Sequence, residues 1–191
     1  MTNKRFRVVL CLSLAVALSS ALYGQEKKPT APKPPDRPTK VLVANWNDIG
    51  RKLIAMAEDF PEDKYDFKPT PVQRTFAAQL LHAANTNYFV TNAILGQKPP
   101  SEEDPKPELF KTRAALVGFV KKAFADGAKA IEDKGDKGLS DLIVDPFANQ
   151  QVRVSDMAWG FMEHAGEHYG QLVVYYRVAG LVPPESRPKK Q

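Results

Sequence analysis

The chain is 191 residues long, 43% hydrophobic and 26% charged, with 16 prolines, three histidines and one cysteine. That apolar share builds one core and excludes disorder throughout, and a lone cysteine excludes a disulfide framework. Basic residues exceed acidic ones by five, but Lys4, Arg5 and Arg7 supply three of those charges within the first seven residues. The rest of the chain is close to neutral, which argues against nucleic acid or a membrane surface as partner.

Behind those basic residues runs an apolar stretch over 8–18, followed by the small residues Ser19, Ser20 and Ala21. A basic start, a short apolar run and a small-residue end describe a secretory signal peptide over 1–24, with cleavage after Ala21 or Gly24. The run is too short for a transmembrane helix. Cys11 does not suit lipid attachment, because Leu10 precedes it and the apolar run continues past it. The expectation is an exported protein, periplasmic or extracellular, free of cysteine and of the membrane once the signal is removed.

Residues 25–40 hold Pro29, Pro32, Pro34, Pro35 and Pro38 and read as a polyproline-type linker. A single domain is expected over 41–184, with a basic tail over 185–191. Its first helix carries Leu42, Trp46, Ile49, Leu53, Met56 and Phe60, a 4-3-4-3-4 spacing that forms one buried seam, and Pro61 stops it. Thr75 is a suitable N-cap for a second helix that Gly96 ends. A third helix is expected to open near Pro107, to bury Phe110, Ala114, Val117, Val120, Phe124, Ala128 and Ile131, and to close at Gly135 and Gly138. After a connection over 139–154, Ser155 or Asp156 is expected to cap a fourth helix running to about Gly180. No alternating pattern is long enough to predict a strand. The fold class is therefore all-α, a four-helix bundle with long crossover connections.

All three histidines fall inside these helices. At about 100° per residue, His164 and His168 lie about 40° apart and one turn apart, so they form a chelating pair. Met157, Gly160, Gln171 and Tyr175 share their strip, which points the pair into the bundle. A divalent cation satisfies both imidazole lone pairs at once, and His82 on the second helix is the candidate third ligand, since bundle sites are built from facing helices. The metalloprotease motif H-E-x-x-H is absent because Ala165 follows His164. The inverted motif H-x-x-E-H is present, but Glu185 is the sole acid downstream to complete such a site.

The stretch HAGEHYGQLVVYYRVAGLVPP, from His164 to Pro184, resembles the H-x-x-x-H-x-x-Q…YxR…G…PP ending of the DinB/YfiT-like superfamily. TFAAQLLHAANTNYFV, around His82, resembles that family's second helix, and Trp46 fits its first. The resemblance spans about residues 41–184. It implies a four-helix bundle with a divalent metal, Zn or Ni, held by His82, His164 and His168. Gln171 falls on the family's glutamine, a supporting position behind the ligands. Tyr169 stands where many relatives have Arg. Relatives of known activity are largely transferases or isomerases using low-molecular-weight thiols.

Two functions fit this reading. In one, a metal-dependent transferase or hydrolase acts on a small molecule, with Glu167 as proton acceptor and Tyr175 as hydrogen-bond donor to substrate. In the other, a non-catalytic bundle uses the metal only to pin its helices. A homodimer is the assembly carried as an expectation. Trp159 and the pair Lys121 and Lys122 are expected to be surface features, and Asn85, one turn from His82, is placed to orient that ring or a ligand.

Overall fold

The structure, a computed structural model, describes residues 37–101 and 103–188. The expected signal peptide, most of the linker and Lys189–Gln191 of the tail lie outside the described residues.

Helix α1 spans Pro38–Asp59 and so starts three residues inside the stretch read as linker. Proline suits the first helical position, where its missing N–H would have no helical acceptor. The next donor, Thr39 N, finds Asp136 Oδ1 at 3.0 Å. At the other end Phe60 is extended, with ψ 138°, as a residue before proline prefers.

Helix α2 is Phe76–Ile94. Thr75 caps it as expected, its hydroxyl accepting from Ala78 N at 3.1 Å. Gly96 follows its end in the left-handed region, with φ +67°. Thr75→Ala should therefore lower stability by about 1 kcal/mol in urea denaturation, with an unchanged m-value.

Helix α3 runs Arg113–Gly138 and corrects the expected start near Pro107. Pro107–Leu109 is only a 3-10 turn, and Phe110 leaves helical geometry at φ −124°, ψ 49°. Thr112 then caps the true helix by accepting from Ala115 N at 3.2 Å. As a result Ala114, expected to be buried, is exposed, while Val117, Val120, Phe124 and Ile131 are buried. Gly135, at φ +62° and ψ 177°, breaks the helix one turn before its end.

The connection after α3 holds a small antiparallel hairpin that the sequence pattern did not reveal. Strand β1 is Leu142–Val144 and β2 is Gln151–Arg153, with Ile143 opposite Val152. Helix α4, Val154–Val178, leaves β2 directly, which also corrects the expected cap. Val154 N donates to Asp141 O and Ser155 N to Leu139 O, both at 3.0 Å. Backbone carbonyls thus take donors a side-chain cap would have served, and Asp156 instead pairs with Arg153 at 2.8 Å.

Helix α1 packs on α3 and α4, and α2 packs on the same two, so the cyclic order is α1–α3–α2–α4. Chain neighbours α1 and α2 face each other diagonally, which is why their connection is long. The bundle is closed by aromatic rings whose polar tips reach backbone carbonyls. Phe60 stacks on Phe76 with ring centroids 3.8 Å apart. Trp46 lies 4.6 Å from Phe161 and its indole N–H donates to Phe124 O at 2.9 Å. Tyr176 donates to Met56 O at 2.9 Å.

The first residues of the segment read as a tail contact the bundle. Arg187 grips Asp59, with Nη1 to Oδ1 at 2.7 Å, and Glu185 is held by Arg51 at 2.6 Å, so this segment lies against α1. A planar guanidinium matched to a carboxylate explains both contacts. Lys121 and Lys122 are exposed and paired to Glu58 and Asp126, and Trp159 is half exposed. Among the described residues no helix is long and apolar enough to cross a membrane.

Candidate metal centre

Helices α2 and α4 present their histidines to each other. Gln79 meets His168 and Gln171, while further along α2 His82 meets both His168 and His164. Rising numbers on one helix therefore meet falling numbers on the other, and the two run antiparallel. One turn of α4 separates His164 from His168, as the spacing predicted, and puts their Nε2 atoms 3.0 Å apart. One ring nitrogen from each of His82, His164 and His168 falls within 4.8 Å of the others. The rings stand nearly on edge to one another, at 84° between His164 and His168 and 82° between His82 and His168.

The outer nitrogens of two rings are already engaged. His82 Nδ1 lies 2.7 Å from Asp104 Oδ2, in the loop between α2 and α3. Asn85, one turn along from His82, supports that carboxylate rather than the ring, with Nδ2 3.5 Å from Asp104 Oδ1. His168 turns its Nδ1 to two carboxamides, Gln79 Nε2 at 2.5 Å and Gln171 Oε1 at 3.3 Å, and Gln79 donates to Gln171. A proton on Nδ1 needs an acceptor there, so in the ligating state Gln79 turns its carboxamide oxygen to that proton and Gln171 donates to the same oxygen, which leaves Nε2 bare towards the other rings. His82 does the same through Asp104. Such outer partners fix tautomer and ring orientation in histidine metal sites.

Electrostatics favour neutral rings at His164 and His168. Burial pushes the His168 pKa down to about 4, and the neighbouring His164 and His82 push the same way. Burial also lowers His164, with His82 next in effect. Bare nitrogens are what a cation requires, whereas two lone pairs facing each other at 3.0 Å repel unless a proton or an ion lies between them. Ligands about 2.0–2.1 Å from one tetrahedral ion are about 3.3 Å apart, close to the His164–His168 spacing. The donor set present therefore fits a divalent ion. Among the described residues no Cys, Asp or Glu joins the three histidines as a fourth ligand.

Beside His82 and His164 opens a pocket of about 400 Å³. Its apolar walls come from Val90 of α2, Met157 and Phe161 of α4, and Val152 and Phe147 of the hairpin. The hairpin is thus what turns a face of the bundle into a cavity.

Of the residues read from the sequence, the three histidines and Gln171 come together. Glu167 is exposed on α4 and does not line the pocket. Tyr175 is buried, and its hydroxyl donates to Arg74 O at 2.6 Å, tying α4 to the start of α2. Two contributors were missed. Gln79 lies three residues before His82, a spacing that could have flagged it as facing the same way. Asp104 reaches the site from a loop 22 residues further along the chain, and no local pattern signals it. We expect Asp104→Ala to weaken divalent-metal affinity about 10–100-fold in a competition titration. Glu167→Ala should leave that affinity unchanged.

The DinB superfamily model matches residues 46–172, a segment that contains all three histidines. No functionally curated protein matches the chain. Among solved structures, a DinB-like protein from Bacillus cereus ATCC 10987 superposes with a TM-score of 0.64 at 16% identity, covering 76% of this chain and 95% of its own. A DinB-like protein from Bacillus subtilis gives 0.61 at 19% identity, covering 79% and 98%. At such identities these two likenesses speak for the fold alone. The match over more than half of its length makes this chain a member of the DinB superfamily.

Proposed function

We propose that the protein is an exported metal-dependent enzyme, of transferase or hydrolase type, that holds one divalent ion, Zn or Ni, on His82, His164 and His168. The observation that carries the reading is the arrangement of the rings. Three imidazole nitrogens converge within 4.8 Å, and Asp104 and the Gln79–Gln171 pair stand behind two of them. Export is supported by the basic and apolar character of residues 4–18.

When bound, the ion would act as a Lewis acid, lowering the pKa of a coordinated water or thiol. The rest falls to this chain's own residues. Asp104 holds His82 in the ligating tautomer, and the Gln79–Gln171 pair, with the Gln79 oxygen turned to Nδ1, holds His168. Val152, Met157, Phe161 and the largely exposed Phe147 offer an apolar wall to a small-molecule substrate.

The alternative is a structural ion that only joins α2 to α4. A structural site is closed by a fourth protein ligand, whereas a catalytic one keeps a position open. With three histidines and no further candidate among the described residues, the open form is favoured. Loading with Co(II) separates the two. An open site shifts its visible absorption bands when acetohydroxamate is added, and a closed four-ligand site leaves them unmoved.

A further inference from the structure

The pocket beside His82 and His164 carries charge of one sign only. Its ionised lining residues are Asp145 and Asp156, and neither lysine nor arginine lines it. The two carboxylates differ in what they have left to offer. Asp156 Oδ2 accepts from Arg153 Nε at 2.8 Å and Oδ1 accepts from Ser155 Oγ at 3.4 Å, so its charge is already met.

Asp145 spends a single oxygen. Its Oδ1 accepts from Phe147 N at 2.8 Å and from Ala148 N at 3.3 Å, and Oδ2 has no partner among the described residues. The backbone fixes this acid in place. Asp145 N donates to Gln150 O at 2.8 Å, Asn149 N donates to Asp145 O at 2.9 Å, and Asn149 takes the left-handed conformation at φ +51°. The hairpin turn therefore holds a half-buried carboxylate with a free oxygen at the edge of an apolar cavity. Low-polarity walls strengthen the attraction of such a group for a cation and its repulsion of an anion.

We propose that this pocket selects an amine. The ligand has a compact apolar body against Phe147, Val152 and Met157, an ammonium group on Asp145 Oδ2, and a polar reacting end at the three histidines. Ligands with an anionic tail are rejected by the same carboxylate. The proposal rests on the reading of the triad as a metal centre with an open position.

The test uses the Co(II)-loaded protein and hydroxamates of graded chain length that end in an ammonium, a methyl or a carboxylate group. Affinity is read from the shift of the cobalt bands. At the best-fitting length the amine-ended probe should bind about ten-fold tighter than the methyl-ended one, the size expected of a charged hydrogen bond, and the carboxylate-ended probe should bind weakest. Asp145→Asn, whose Oδ1 can still accept from Phe147 N and Ala148 N, should abolish the preference for the amine. Equal affinities for the three tails at every length, or tightest binding of the carboxylate, would overturn the proposal while leaving the metal reading intact. Bands that even acetohydroxamate leaves unmoved would overturn the open metal site, and the amine proposal with it.

Discussion

Gly127→Ala should lower the stability of the domain by about 3 kcal/mol, the upper end of what overpacking costs. A Cβ added at Gly127 would sit 2.1 Å from Trp46 Cζ2 and 2.8 Å from Asn87 Oδ1. Neither neighbour can give way. Trp46 is fully buried, wedged against Phe161 and tethered through its indole N–H to Phe124 O, and Asn87 Oδ1 accepts from Thr91 Oγ1 at 2.9 Å. In an open helix the same change would gain about 1 kcal/mol of helix propensity, so the sign of the effect reports the contact directly. Gly118, with open space around it, is the control: Gly118→Ala should stabilise. Urea melts of the two variants check both signs.

The second large effect concerns acid. In the metal-free domain, His168 stays neutral down to about pH 4 because it is buried beside two other imidazoles, whereas an unfolded histidine protonates near 6.5. Between those values the unfolded chain binds more protons than the native one, so stability falls as pH falls. The loss begins near pH 6.5 and continues to about pH 4, reaching on the order of 3 kcal/mol for this one ring. His164, lowered for the same reasons, adds to it. Asp59, whose carboxyl Arg187 holds below its ordinary value, contributes stability that is lost only at lower pH, below this window. Chelator-stripped protein should therefore have a lower urea midpoint at pH 4.5 than at pH 7, and His164→Ala/His168→Ala should remove most of that difference. Equal midpoints would contradict the burial of the rings as neutral groups.

How far the sequence revealed this molecule depended on how local each feature is. Leu42, Trp46, Leu53 and Met56, the Thr75 cap and the turn at Gly96 are written in helical spacing and in residues with a strong positional preference, and each lies where it was expected; Ile49 of the same seam is only half-buried, and Phe60 is buried one residue past the helix end. The His164–His168 pair was legible for the same reason, since one helical turn fixes both rings on one side. Features made by distant segments were not legible. Asp104 reaches His82 from a loop, and strands of three residues leave too little alternation to notice. That hairpin supplies Phe147, Val152 and Asp145, so the histidines could be named from the sequence but the pocket beside them could not. The cap of α4 was misread because backbone carbonyls, which carry no residue signature, satisfy its first donors.

If three histidines on two facing helices hold one divalent ion, that ion should accompany the purified chain. Elemental mass spectrometry of the purified protein, wild type beside His164→Ala/His168→Ala, reads its presence. The expected result is about one Zn or Ni per wild-type chain and none in the variant, with the helical circular dichroism of both unchanged. Wild-type protein that retains no divalent metal after anaerobic reloading, or a variant that binds it as fully, would contradict it.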